Sequence, residues 1–315
     1  MSSTLGPRRR ARRAPPGAKV PAVRAGAPAW RPPPLPALVA VVTGASRGAG
    51  KGIAVVLGEC GATVYVTGRS VRGEIAVDGL PGTIEETAEE VSRRGGRGIP
   101  VRVDHTQDRE VEALFARVRR EQGRLDLLVA NAWGGYEHYF GETFDDGSRF
   151  AAPFWEQSLR RWDGMFTAGL RAQLAASFFA VPLMLRRGRG LVACTTAWDR
   201  DRWLGSVYYD VAKTAVSRMV KGMARELLSR GVAAVAVAPG FTRTERVMAA
   251  HALTPFDLSR TESPEFVGRG VASLAADPKA MRWTGRTLRA GDLARSYRFG
   301  DVDGRRIPPF EVPGE

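Results

Sequence analysis

Leu38-Val39-Ala40-Val41-Val42-Thr43-Gly44-Ala45-Ser46-Arg47-Gly48-Ala49-Gly50 decides the fold. Its first five residues are continuously apolar, the pattern of a short strand buried on both faces of a parallel sheet. The run stops at Thr43, three glycines follow, and a helix is expected from about Gly48 to Leu57. One glycine lets the chain turn sharply. The others let the backbone approach a pyrophosphate and the helix pack against the strand. The first N–H groups and the positive dipole end of that helix then face the phosphates. A tight loop would need the glycines but not the strand before them and the helix after, so the context points to a dinucleotide. Gly44, Ser46, Arg47, Gly48, Ala49 and Gly50 are the expected contacts.

Outward from this unit the same alternation repeats. Strands are expected at Thr63–Thr67, Ile99–Val103, Leu125–Ala130, Leu191–Thr195, Val232–Val237 and near Arg286–Arg289. Helices are expected at Ile84–Arg94, Glu110–Gln122, Trp155–Arg186 (broken near Pro182) and Tyr208–Ser229. Repeated βα units with apolar strands imply one α/β domain. It is a doubly wound, Rossmann-type fold with a parallel seven-stranded sheet flanked by helices and right-handed crossovers.

That domain is expected over residues 37–315. Residues 1–36 carry eight basic side chains and no acidic one, with many prolines and alanines. Such a segment cannot bury enough surface to offset its ordering entropy, so a disordered basic tail is expected. The tail also explains the charge. The chain carries +14, but only +6 remains once those residues are removed. A mildly basic body suits an anionic dinucleotide. No base-reading or RNA-binding motif accompanies the tail, so no specific nucleic-acid partner is expected.

Two cysteines, Cys60 and Cys194, sit in apolar stretches without metal-ligand spacing, and the three histidines are scattered. Neither a disulfide framework nor a metal site is expected, and the compartment is read as cytoplasmic. The longest apolar stretch, Ala172–Leu185, falls short of the roughly 18–20 residues of a membrane span, so no span is expected. Nor does an apolar core follow Met1 as in a signal peptide.

Enzymes that bind NAD place a carboxylate after the second strand to hold the ribose 2′-hydroxyl. Here that strand ends Val66-Thr67-Gly68-Arg69-Ser70. Arg69, with Arg47 from the glycine loop, offers guanidinium forks to a 2′-phosphate instead. NADP(H) is therefore the expected cofactor. Further along, Tyr209-Asp210-Val211-Ala212-Lys213 puts a phenol and an ammonium on one helix face. An ammonium and an oxidised nicotinamide nearby would lower the phenol's pKa, and Tyr209 could then exchange a proton with a carbonyl or alcohol oxygen. Tyr208, five residues before Lys213, points elsewhere.

Taken together, Thr43-Gly44-Ala45-Ser46-Arg47-Gly48-Ala49-Gly50 and Tyr209-x-x-x-Lys213 resemble the short-chain dehydrogenase/reductase superfamily, over about Leu38 to Arg306. The resemblance implies further roles. Asp104 would contact the adenine ring, Asn131 would support sheet and cofactor, and Pro239, Gly240 and Thr242 would hold the nicotinamide carboxamide. Thr196 stands where the family has a catalytic serine, thirteen residues before the tyrosine, with Thr195 as the fallback. In Ala168-Gly169-Leu170-Arg171, Gly169 stands where many members carry an asparagine that anchors a proton-relay water. Residues from about Arg246 to Pro264 would form a mobile lid. Ala168-Gly169-Leu170-Arg171, the long Trp133–Trp155 insert and the C-terminal Gly291-Asp292-Leu293-Ala294-Arg295-Ser296-Tyr297 and Asp301-Val302-Asp303-Gly304-Arg305 resemble the dehydrogenase/reductase family member 1-like subgroup.

The resemblance implies hydride transfer to a ketone or aldehyde, or from the matching alcohol, with Tyr209, Lys213 and Thr196 as the catalytic set. Trp133, Tyr136, Phe140, Phe144, Phe154, Trp155, Trp198 and Trp203 are placed near the cleft and fit a largely apolar small-molecule substrate, although several could instead cover the core or a subunit contact. A homodimer or homotetramer through the fourth and fifth helices is expected. The alternative is an NADP(H)-binding sensor or scaffold with little turnover, suggested by Thr196 and Gly169.

Overall fold

Strand β1, Val39–Thr43, is buried along its whole length. The computed structural model describes residues 24–26, 29–74, 76, 79–140, 143–197 and 202–311. Ala40 and Val42 belong to one apolar cluster, and Val39 and Val41 to another on the opposite face of the sheet. The same alternation holds in β2, Thr63–Gly68, where Val64 and Val66 face one way and Tyr65 the other. Successive side chains of a strand point to opposite faces, so a strand covered on both sides must be apolar throughout.

The other strands of the main sheet are β3 (Arg97–Arg102), β4 (Leu127–Ala130), β5 (Gly190–Thr195), β6 (Val232–Ala238) and β7 (Thr287–Arg289). They form one seven-stranded sheet in the order β3-β2-β1-β4-β5-β6-β7, parallel at every pairing. This is the doubly wound, Rossmann-type architecture expected from the sequence. The order reverses direction at β1, whose neighbours are β2 and β4. Parallel sheets bind ligands in the crevice outside such a reversal, at the carboxyl ends of the strands.

Helix α1 (Gly48–Glu59) and helix α2 (Ile84–Arg93) cover one face, and α3 (Asp108–Gln122) the other. Helix α4 runs from Leu159 to Leu185. It starts later than expected, and Pro182 does not break it. Pro182 is exposed, so the carbonyl it leaves unpaired can be satisfied by water. The irregularity lies instead at Phe166–Arg171, a π-helical segment around Gly169. By length and mean hydropathy alone α4 is long and apolar enough to cross a membrane, as core helices also can be, and its buried side packs in the core below the sheet.

Helix α5 (Val207–Leu227) follows β5. Three helices escaped the sequence reading: α6 (Glu245–Leu253), α7 (Pro264–Ala276) and α8 (Ala290–Tyr297). The expected mobile lid is therefore a helix and a connecting loop. The tail expectation also needs correction at its inner end. Trp30 packs edge-on against Phe299 at 5.7 Å and donates to Glu59 at 3.2 Å, and the Leu35 N–H donates to the Cys60 carbonyl at 2.7 Å. These two apolar side chains find partners on the body that composition does not reveal. Residues 1–23, 27 and 28 of the tail lie outside the described residues.

Candidate active site

Four loops leave the carboxyl ends of β1, β4, β5 and β6, so the expected cofactor and catalytic residues gather along one edge of the sheet. Asn131, just after β4, ties three of these loops together. Its Nδ2 donates to the carbonyls of Thr43 and Gly44, both at 3.0 Å, and its Oδ1 accepts from the Thr195 hydroxyl at 3.2 Å. The glycines are required by crowding as well as by conformation. Gly44 has φ +62°, and a Cβ there would lie 2.8 Å from the Ala132 Cα; a Cβ on Gly50 would lie 2.3 Å from the Gly44 carbonyl oxygen. Ala49 packs against the apolar cluster above the sheet. Ser46 is buried, and its carbonyl accepts from the Thr87 hydroxyl.

Gly48 begins α1, and its N–H donates to the Glu245 carboxylate at 2.8 Å. Arg47 supplies no side-chain cap to this helix. The donor end of α1 thus already holds an anionic oxygen, delivered by the first residue of α6. A dinucleotide phosphate has the same need for N–H groups and the same charge, so the loop fits that group.

The two arginines expected at a 2′-phosphate are both engaged. Arg47 donates to the carbonyls of Leu80, Pro81 and Gly82 and to the Ser70 hydroxyl, all within 3.1 Å. It clasps the 80–82 loop against the glycine turn. Arg69 is ion-paired with Glu137 from the long insert, and its side chain remains 43% exposed. Asp104 accepts from the Thr106 N–H at 2.9 Å and hydroxyl at 2.8 Å, which fixes the turn into α3.

Tyr209 and Lys213 lie one turn apart on α5, inside an aromatic enclosure. The Tyr209 ring meets Phe150 at 5.4 Å and Trp133 at 5.6 Å, both edge-on, and stacks with Tyr136 at 6.3 Å. The hydroxyls of Tyr209 and Tyr136 are hydrogen-bonded to each other. Burial pushes the Tyr209 phenol well above its ordinary value, and Tyr136 adds to the shift. In the chain without cofactor this is the opposite of the lowering expected from sequence. The reason is local. The Lys213 ammonium lies 3.5 Å from the centre of the Trp133 ring and 5.5 Å from that of Tyr209, while burial brings its own pKa down to about 7. Tyr208 points away, its hydroxyl donating to the Phe154 carbonyl at 3.1 Å.

Thr196 is buried, and its hydroxyl donates to the Lys213 backbone carbonyl at 2.7 Å. Gly169 faces Trp133, since a Cβ there would come within 2.6 Å of the indole Cζ3. The indole therefore fills the space where a side chain at 169 would project. Thr242 is buried and donates to the Gly240 carbonyl at 3.1 Å and toward Glu262 at 3.4 Å. Burial and the nearby Asp301 raise the Glu262 carboxyl to about 8, and a Cβ on Gly240 would lie 2.8 Å from its Oε2. The Pro239-Gly240 turn thus rests on a buried carboxyl.

Of the expected aromatic rim, Trp133 and Tyr136 reach Tyr209. Phe144 instead packs under the Arg161 guanidinium, and Phe154, Trp155 and Trp203 are exposed. Trp198 and the Phe140 side chain lie outside the described residues. Sequence reasoning missed Phe150, Glu137, Glu245 and Glu262. Only Glu245 carried a local signal, an acidic residue directly after the capping Thr244.

Residues 38–253 match the family described as short chain dehydrogenase. The chain is 38% identical over 289 residues to the dehydrogenase/reductase SDR family member 1 of Mus musculus, covering 88% of this chain and 87% of that one. It is 36% identical to the Homo sapiens protein of the same name over the same shares, and 32% identical to a 3-oxoacyl-[acyl-carrier-protein] reductase of Synechocystis over 81% of this chain and 95% of that one. A short chain dehydrogenase structure from Mycobacterium thermoresistibile superposes with a TM-score of 0.72 at 24% identity, over 89% and 97% of the two chains. Matched along most of its length in sequence, the chain belongs to the short-chain dehydrogenase/reductase family and is an oxidoreductase of the kind that uses a nicotinamide cofactor.

Proposed function

We propose that this chain is an NADP(H)-dependent reductase of a ketone or aldehyde, running in reverse on the matching alcohol, with Tyr209 as general acid and base. The observation that carries the reading is the Tyr209–Lys213 pair, set in an aromatic enclosure at the same sheet edge as the glycine turn. Gly44, Ser46, Arg47, Gly48, Ala49 and Gly50 would hold the pyrophosphate. Asp104 would meet the adenine, Asn131 and Lys213 the inner face, and Pro239, Gly240 and Thr242 the nicotinamide end. Bound there, the cofactor supplies or accepts a hydride.

Tyr209 keeps its proton at neutral pH as any phenol does, and burial holds that proton more tightly. In the reductive direction it would give this proton to the developing alkoxide. Thr196 fixes the α5 backbone at Lys213 through its hydroxyl. While that donation lasts the hydroxyl can only accept from a second partner, so donating to a substrate oxygen requires it to turn. Trp133, Tyr136 and Phe150 exclude water from the phenol and suit an apolar substrate.

NADP(H) preference rests on Arg69 and the absence of a carboxylate at Gly68-Arg69-Ser70. Arg69 must leave Glu137 to meet a 2′-phosphate, a trade of one anion for a more highly charged one. The exposed Leu174, Phe178 and Leu185 of α4 and Val211 of α5 support a homodimer or homotetramer through these helices, and sedimentation as a monomer would remove it. Tyr209→Phe tests the chemistry. It should bind NADPH as the wild type does and lose turnover by about 100-fold or more. Wild-type turnover in that variant overturns the mechanism. Tight NADPH binding by an inactive wild type selects the sensor or scaffold alternative.

A further inference from the structure

We propose that Tyr136 is a second catalytic phenol, the group through which Tyr209 regains its proton after each reduction; this rests on the function proposed above. When Tyr209 gives its proton to the carbonyl oxygen, the C–O double bond becomes an alcohol and Tyr209 is left as a phenolate. Before the next cycle it must take up one proton. Three groups lie close enough to matter, and the structure separates them.

Thr196 spends its hydroxyl hydrogen on the Lys213 carbonyl. Lys213 holds its ammonium against the Trp133 face at 3.5 Å, and an indole face accepts a cation but carries no proton onward. The space behind that indole is closed by α4, whose Gly169 tolerates no Cβ beside the ring. Tyr136 differs on each count. Its hydroxyl is already hydrogen-bonded to the Tyr209 hydroxyl. The residue as a whole keeps part of its surface exposed, and the proposed transfer requires water to approach its hydroxyl from that side. Burial holds the Tyr136 phenol above its ordinary value, and the hydrogen bond with Tyr209 and the Arg246 guanidinium, 5.6 Å from its ring, offset only part of that rise.

The transfer balances simply. The Tyr136 O–H bond breaks as a new O–H bond forms at Tyr209, and water then returns a proton to Tyr136. No oxidant or further reductant is needed. The Trp133–Gly169 contact and the Tyr136–Tyr209 bond become two parts of one arrangement, which closes the inner route and opens an outer one.

The test compares a first turnover with the following ones. Tyr136→Phe keeps the ring and its stacking and removes only the hydroxyl. With carbonyl substrate in excess, the variant should oxidise one NADPH per site at close to the wild-type rate. It should then settle to a steady rate about 10–100-fold lower. Imidazole should raise that steady rate in proportion to its concentration and leave the wild type unchanged. Tyr136→Ala, with more room for imidazole, should be rescued further. Three outcomes overturn the proposal: a first turnover slowed as much as the rest, a steady rate equal to the wild type's, or a slow steady rate that imidazole does not move. An inactive wild type removes the function itself, whereas an active wild type with inactive Tyr209→Phe and fully active Tyr136→Phe removes only the second phenol.

Discussion

Lys213 is the residue at which the proposed function and stability conflict most directly. Burial takes its pKa from 10.5 down to about 7. A base depressed in this way binds fewer protons folded than unfolded between those values, so the fold gains stability as pH rises from 7 toward 10. At neutral pH the buried ammonium costs stability, partly offset by its contact with Trp133. Lys213→Met should therefore abolish turnover and yet stabilise the protein at pH 7 by about 2 kcal/mol, with the gain shrinking at pH 9. A thermal midpoint below that of the wild type at pH 7 contradicts this. The pair itself was legible, because four-residue spacing fixes a shared helix face. Its electrostatics were not. The upward shift of Tyr209 comes first from burial and then from Tyr136, 73 residues earlier in the chain, and no local pattern announces either. The same holds for Arg47, whose guanidinium is claimed by carbonyls 33 to 35 residues away.

Among the elements, α1 and α6 meet where the cofactor is expected. The Glu245 carboxylate accepts from the first N–H of α1, so a phosphate must displace it, and α6 must shift when it does. Glu245→Gln keeps the size and removes the charge. It should tighten NADPH binding about 3–10-fold, since a competing anion at a helix N-terminus is worth about 1 kcal/mol. Unchanged or weaker binding in calorimetry would show that Glu245 helps to hold the loop rather than competing for it. Strands were easier to read than these helices. β1 and β6 are continuously apolar, and burial on both faces demands that. Helix α6 buries no residue fully, so it has no apolar face to betray it. Helix α7 begins at Pro264 after a capping Ser263, a start signal that the reading passed over in favour of a lid. The π-helical turn at Phe166–Arg171 holds Gly169 against Trp133, a long-range contact invisible in either segment alone.

At the scale of the whole molecule, the repeated βα pattern led directly to the seven-stranded sheet and to the edge where the site lies. Composition misplaced the inner end of the basic tail, because Trp30 and Leu35 were judged with their arginine-rich neighbours and not with Phe299 and Cys60, against which they pack. The claim that unites these scales is that one sheet edge binds NADP(H) and passes a hydride to a carbonyl carbon with Tyr209 supplying the proton. The most direct measurement is optical NADPH oxidation by the wild type against a panel of apolar ketones, aldehydes and quinones, with NADH and Tyr209→Phe run beside it. The account predicts turnover that prefers NADPH and vanishes in Tyr209→Phe. Turnover that prefers NADH would contradict the role of Arg69, and none with either cofactor despite tight binding would contradict the enzyme itself.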